Sequence, residues 1–210
     1  MEKILISIIA STILLFRNVF RVFKDPYTAM RDIAREKDML QVVFVLVICC
    51  GYFAYAASIR HQTLNPFIVT TSAMASSIGF LVTFGLSVAF LYVSGRMFHV
   101  PQKNVIRSLC SLSAYSLIPT LLWFYATSTL FLLLPPPRQL TAMGTFFSIV
   151  FVTYSLILLN WRFMLLYITI RFSLRTSFST TMKIATLYLL LMMPYSMLLY
   201  KIGLFRVPFI

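Results

Sequence analysis

The sequence predicts an all-α integral membrane protein: amphipathic cytoplasmic N-terminal helices followed by a five-helix transmembrane bundle, N-terminus inside and C-terminus outside. Three observations predict it. First, 60% of the 210 residues are hydrophobic and only 11% are charged, too few to cover a soluble surface. Second, the apolar residues fall into runs long enough to cross a bilayer, which takes about 20 residues of helix. Third, all five acids (Glu2, Asp25, Asp32, Glu36, Asp38) precede residue 40, so one end of the chain is a charged layer. The mean hydropathy of +0.90 agrees with the first point.

The chain divides at residue 39. Residues 1–39 form the cytoplasmic or interfacial region and residues 40–210 the transmembrane domain. Within the first region, residues 4–23 are amphipathic. Ser7, Ala10, Ser11, Arg17, Asn18 and Arg21 lie on one side, with Lys24 next in line. Ile8, Ile9, Leu15, Phe16, Val19, Phe20 and Phe23 lie on the other, and Leu14 is the main exception. The uninterrupted apolar part, residues 4–16, is short for a span, so this helix is expected to lie in the interface with Arg17, Arg21 and Lys24 on anionic headgroups. A sixth span over residues 4–23 is the alternative. No small-residue cleavage site follows the apolar part, which argues against a signal peptide.

Asp25 and Pro26 open a second helix, the first as N-cap and the second at the first helical position. Tyr27, Met30, Ile33, Ala34 and Leu40 share one face; Arg31, Asp32, Arg35 and Glu36 share the other. The charged face reads as a solvated surface of a helix lying on the membrane, with partner docking as the sharper alternative. Lys37 falls on the apolar side, where its stem can snorkel. Arg17, Arg21, Lys24, Arg31 and Arg35 are therefore the candidate surface for lipid or a partner.

Five spans follow, over residues 40–58, 67–94, 108–134, 142–170 and 182–200. The Pro135-Pro136-Pro137 run closes the third. Thirteen of the 18 Lys and Arg fall on the N-terminal side of this topology, four on the other, and Arg162 lies inside an apolar run. The positive-inside rule then places the N-terminus in the cytoplasm. The formal net charge of +13 is spread over the ends of apolar runs and predicts no nucleic-acid partner.

Catalytic and metal chemistry have no foothold in the pattern. No acid follows Asp38, which excludes paired carboxylates and carboxylate proton relays within the spans. His61 and His99 fall in connections on opposite sides, and Cys49, Cys50 and Cys110 lie within apolar runs, where they read as small buried hydrophobes. No catalytic residue, metal ligand or cofactor site is assigned, and the chain is read as a non-enzyme. Small residues four apart in the second span (Ser72/Ser76, Ala73/Ser77, Gly85/Ala89) predict close helix packing within the chain in preference to homodimerisation.

The intramembrane polar and kink residues are Tyr115, Ser116, Pro119, Asn160, Arg162, Pro194 and Tyr195. Each mid-span proline frees a carbonyl one turn back and kinks its helix; kinked packing without a cavity is the simpler expectation, a polar cavity the other. Arg162 lies nine residues before Arg171, about 13 Å along a helix. Its expected partners are lipid phosphate beside Trp161, or Asp32, Glu36 or Asp38.

The segment PYTAMRDIARE at 26–36 and the segment SLSAYSLIPTLL at 111–122 resemble the Yip family, the Ypt/Rab-interacting-protein domain, in its prokaryotic form. The order of elements over about residues 25–200 is also similar. The resemblance implies a non-enzymatic multi-pass protein of membrane organisation or vesicle-trafficking type, acting through membrane lipids, a membrane-protein partner or a homo-oligomer. It also implies a bacterial or archaeal plasma membrane. The longer N-terminal part with which eukaryotic relatives contact Rab proteins has only a remote echo in Asp25-Pro26-Tyr27, so Rab binding is not carried over. A small permease or channel-like transporter using the kinked third and fifth spans is the alternative.

Overall fold

The computed structural model describes residues 2–36, 38–61, 66–98, 105–133 and 142–203. Lys37, His99 and the proline run at 135–137 lie outside these residues, as does the side chain of His61. The described chain is helical, in the order α1 (Glu2–Lys24), α2 (Pro26–Glu36), α3 (Met39–His61), α4 (Pro66–Met97), α5 (Val105–Tyr115), α6 (Ile118–Leu133), α7 (Ala142–Leu174) and α8 (Phe178–Lys201). Among the described residues, six helical segments are long and apolar enough to cross a membrane: the five expected ones and, in addition, Leu5–Lys24 of α1.

Side-chain bonds fix how the helices run. Tyr115 donates to Gln41, Tyr125 donates to the Ile48 carbonyl at 3.3 Å, and Tyr52 pairs with Ser128 at 3.1 Å. Both residue numbers rise together, so α3 runs parallel to α5 and α6. Against α7 the order reverses: Thr169 donates to the Leu112 carbonyl at 3.4 Å, Arg162 to that of Ser116, and Trp123 to Ser155 at 2.8 Å. Hence α7 is antiparallel to α5 and α6, and α4 is likewise antiparallel to α8 through Thr83–Tyr195 and Ser87–Tyr188.

The third predicted span is not one helix. It is interrupted at Ser116 and Leu117, and α5 and α6 lie on either side of the interruption. The cause is local: Pro119 has no N–H to give the Tyr115 carbonyl, and its ring crowds that carbonyl one turn back. The chain tightens there, with the Leu117 amide donating to Ala114 only three residues back at 3.0 Å. Pro194, by contrast, sits inside an unbroken α8 with its side exposed, so the second proline does not split its helix.

The α7–α8 connection is short. Arg175 takes the left-handed conformation (φ 51°) that ends α7, and Ser177 in extended backbone precedes α8. Nearby, a Cβ on Gly95 would stand 2.7 Å from a methyl of fully buried Leu174, so glycine lets the end of α4 close on α7. The Gly85/Ala89 pair does not serve internal packing, because both residues are exposed and space around Gly85 is open.

Two apolar clusters hold the molecule together. One joins Leu15, Val22, Met30 and Ile33 of α1 and α2 to Val45, Phe80, Tyr115 and Leu165. The other gathers Leu91, Leu109, Ile170, Leu174, Ile184 and Tyr188. The apolar face of α2 (Ala29, Met30, Ile33) is therefore buried on protein, against α5 and α7, instead of resting on the membrane. Taking Met30 and Ile33 out of water stabilises by roughly 1.5–3 kcal/mol each on protein or lipid alike, so what fixes α2 on the protein is its packing and its ion pairs to α1.

Candidate functional site

The charged N-terminal layer is built on the α1–α2 hairpin. Asp25 caps α2 by accepting the Thr28 amide at 3.2 Å, as expected of an Asp-Pro start. The reversal at Asp25 lays α2 back along α1. Arg17 then meets Glu36 at 2.8 Å, and Arg21 meets Asp32. These two arginines, expected on headgroups, are thus shared with carboxylates of α2, though both side chains stay partly exposed. The physical reason is proximity: carboxylates 19 and 11 residues ahead return to the same helix face. Lys24, Arg31 and Arg35 remain exposed and take no part in the ion pairs found among the described residues.

Beneath those pairs lies a buried polar network. Asn18, 1% exposed, donates to Glu36 at 3.0 Å and to Gln41 at 3.2 Å. The Gln41 oxygen also accepts from Tyr115, while its nitrogen donates to Asp38 at 3.1 Å. Asp38 accepts in addition from Ser11 at 2.8 Å and from the Leu40 amide at 2.9 Å, capping α3. One connected set of bonds thus ties α1, α2, α3 and α5 together. The expected polar side of α1 faces the protein, and its buried stripe is Ser11, Leu15, Asn18 and Val22.

This wiring favours the charged form of three aspartates. The hydrogen bond from Arg21 is the main reason Asp32 titrates below the usual carboxylate range. For Asp38, burial works to raise the value, yet the bonds from Ser11, Gln41 and the Leu40 amide outweigh it and the net shift is downward. Asp25 is lowered chiefly by its bonds from Thr28. Asp25, Asp32, Glu36 and Asp38 are all engaged within the layer; none reaches Arg162.

Arg162 makes a different bond. Its Nη1 donates to the Ser116 carbonyl at 2.6 Å and to the Ser116 hydroxyl. The expected tie to an N-terminal acid is therefore replaced by the backbone of the broken helix. The interruption before Pro119 turns the Ser116 carbonyl toward α7, where a long cation can reach it. Beside this contact is a cavity of about 30 Å³ whose polar lining is Thr83, Ser87, Ser113, Ser116, Arg162 and Tyr188. A small cavity thus lies beside the first break, where packing without a cavity was the simpler expectation. Phe80, Phe84, Leu91, Leu117, Leu166 and Met192 complete its lining, and Tyr115 and Tyr195 are not part of it.

The other candidate residues are dispersed. Tyr195 bonds Thr83 at 3.1 Å on the α4–α8 contact. Pro119 is buried at the start of α6. Asn160 is exposed on the outer side of α7, away from the cavity. Sequence reasoning missed Gln41, Asn18 as a buried donor, Thr83, Ser87, Ser113 and Tyr188. A glutamine one turn into an apolar run was the available signal for Gln41; the hydroxyls look like ordinary span residues.

Comparison with family models, curated proteins and solved structures gives no match for the chain.

Proposed function

We propose that this is a non-enzymatic multi-pass membrane protein that acts through contact of its N-terminal hairpin with anionic lipid or a membrane-embedded partner, in the membrane-organising role that the Yip resemblance implies. One observation carries the reading. With its polar stripe consumed by α2 and α3, α1 turns Leu5, Ile6, Ile9, Ile13, Phe16 and Phe20 outward, at 51–72% exposure. An apolar face of this kind, flanked by the unpaired Lys24, Arg31 and Arg35, is what an interfacial helix presents to a bilayer.

The contacts of α1 support an in-plane placement and five crossings. Ser11, Asn18 and Phe23 meet Asp38, Gln41 and Trp161, the last with ring centroids 4.9 Å apart. Gln41 is bonded to Tyr115, and Trp161 adjoins Arg162, which is bonded to Ser116. Twelve residues of α1, about 18 Å of helix, therefore touch the bundle within one narrow layer. In this reading the basic side of the topology faces the cytoplasm of a bacterial or archaeal cell.

The test is native mass spectrometry of the purified protein, reporting bound lipid and stoichiometry. Replacing Lys24, Arg31 and Arg35 together by Gln is expected to weaken retention of phosphatidylglycerol at least tenfold, since each cation near an anionic surface contributes roughly 1 kcal/mol. Unchanged retention sinks the lipid reading. A small permease is the second reading, favoured by the cavity at Arg162; solute flux in proteoliposomes separates the two.

A further inference from the structure

Arg162 is a cation within a membrane-spanning segment, and the four described side-chain carboxylates are all bonded elsewhere. A charge so placed is costly without a counter-charge. The guanidinium has five N–H donors, and the bonds it makes to Ser116 both come from Nη1. Carbonyl and hydroxyl oxygens satisfy hydrogen bonds but leave the net charge in place.

The adjoining cavity is shaped for the missing partner. Its 30 Å³ accommodates one or two water molecules or a monatomic anion of similar size. Hydroxyls of Thr83, Ser87, Ser113, Ser116 and Tyr188 line it. Four of them already donate, Thr83 to the Gly79 carbonyl, Ser87 to Met192, Ser116 to the Ser113 carbonyl and Tyr188 to Ser87. That leaves Ser113 as the hydroxyl with a proton to give an anion. Ser113 as a residue is 8% exposed, and its buried Oγ has no hydrogen-bond partner among the described residues. A buried hydroxyl left unbonded at the wall of a cavity beside a cation marks an unfilled ligand position.

We infer that the cavity between α4, α5, α7 and α8 is a binding site for a small monovalent anion of halide size, held by Arg162 and by the Ser113 hydroxyl. Phosphate and carboxylate groups on larger molecules share the charge but exceed the space. The site shares no residue with the hairpin surface, so its failure leaves the lipid reading standing, and the reverse is equally true.

The experiment is thermal unfolding of the purified protein in a neutral detergent, in sodium chloride or bromide against sodium gluconate at fixed ionic strength. Halide is expected to raise Tm saturably, by about 5 °C at a hundredfold excess over Kd. Arg162→Gln is expected to abolish the halide response, and Ser113→Ala to move its midpoint to about tenfold higher concentration, about what one hydrogen bond to a charged group is worth. A wild-type Tm indifferent to halide overturns the proposal, as does a response that survives Arg162→Gln. Should that variant fail to fold, Ser113→Ala decides, and an unmoved midpoint overturns it. Phosphatidylglycerol added in gluconate is the last arm; stabilisation by the lipid with none by halide assigns the charge to a headgroup and also overturns it.

Discussion

The α1–α2 hairpin and the bundle core give their cations partners of opposite kinds. In the hairpin, cations meet carboxylates supplied by the same short stretch of chain, as in Arg17–Glu36 and Arg21–Asp32. In the core there is no acid at all, and Arg162 is held by the oxygen atoms of Ser116, exposed where a helix breaks. The comparison teaches that a lone intramembrane cation is accommodated by altering backbone, and that the proline responsible is part of the charge's environment. Substitutions at Arg162 should therefore be felt more than those at either hairpin arginine.

The largest effect is expected at Arg162. Replacement by Leu orphans the buried Ser116 carbonyl, while the Ser116 hydroxyl keeps its bond to the Ser113 carbonyl, and is expected to cost ~3 kcal/mol. Arg162→Lys keeps a donor and is expected to cost less. Thermal unfolding in detergent gives the ranking, and a Leu variant as stable as wild type would show that the break does not depend on the cation.

Asn18 comes next, because its two bonds are the buried link between the hairpin and α3. Asn18→Ala is expected to cost about 2 kcal/mol by leaving Glu36 and Gln41 short of a donor. Protease sensitivity at the hairpin should rise in the same variant while the rest of the bundle stays protected. Equal sensitivity throughout would mean that hairpin and bundle unfold as one unit.

Acidification separates the two regions without mutation. Asp32 and Asp38 have folded-state values below those of the unfolded chain, so the stability they contribute is complete above the unfolded carboxylate range and is lost as pH falls through their lowered values. Hydrogen exchange is expected to accelerate in α1 and α2 as pH falls below about 4, after correction for intrinsic rates, while α6 and α7 keep their protection. Matching losses in α6 and α7 would contradict the assignment, since those helices contain no acid.

The smallest effect belongs to the outer ion pair. The Arg17 and Glu36 side chains are 49% and 31% exposed, and a double-mutant cycle is expected to give under about 1 kcal/mol. A coupling several times larger would show that Asn18, bonded to the same carboxylate, has been drawn into the measurement.

Much of the architecture was legible because it depends on local pattern. Apolar run lengths placed the helices, Asp25-Pro26 placed the start of α2, and Pro119 marked a span that is broken, though Pro194 carried the same expectation and leaves α8 unbroken. What pattern cannot supply is which face meets which neighbour. The polar side of α1 was expected to face headgroups because periodicity shows a polar side, not its partner; the acids of α2 proved to be that partner. The same gap hid Gln41, whose value lies in the alignment of α3 beside Tyr115, and it directed Arg162 toward distant acids when a carbonyl one helix away was nearer. Asn160 shows the converse: a polar residue two positions from Arg162 lies on the far side of the helix.

The central claim is that the charged layer is internally paired, leaving α1 with its apolar face toward lipid and its axis in the plane of the membrane. Nitroxide labels placed singly at Leu5, Ile9, Phe16 and Phe20, in a background lacking Cys49, Cys50 and Cys110, test it directly in proteoliposomes. Relative collision with oxygen and with a water-soluble nickel chelate reports the depth of each label. The account predicts high oxygen contact at all four sites and depths that agree within a few ångströms. A crossing helix instead changes depth by roughly 1.5 Å per residue, about 16 Å between Ile9 and Phe20, and that gradient would contradict it.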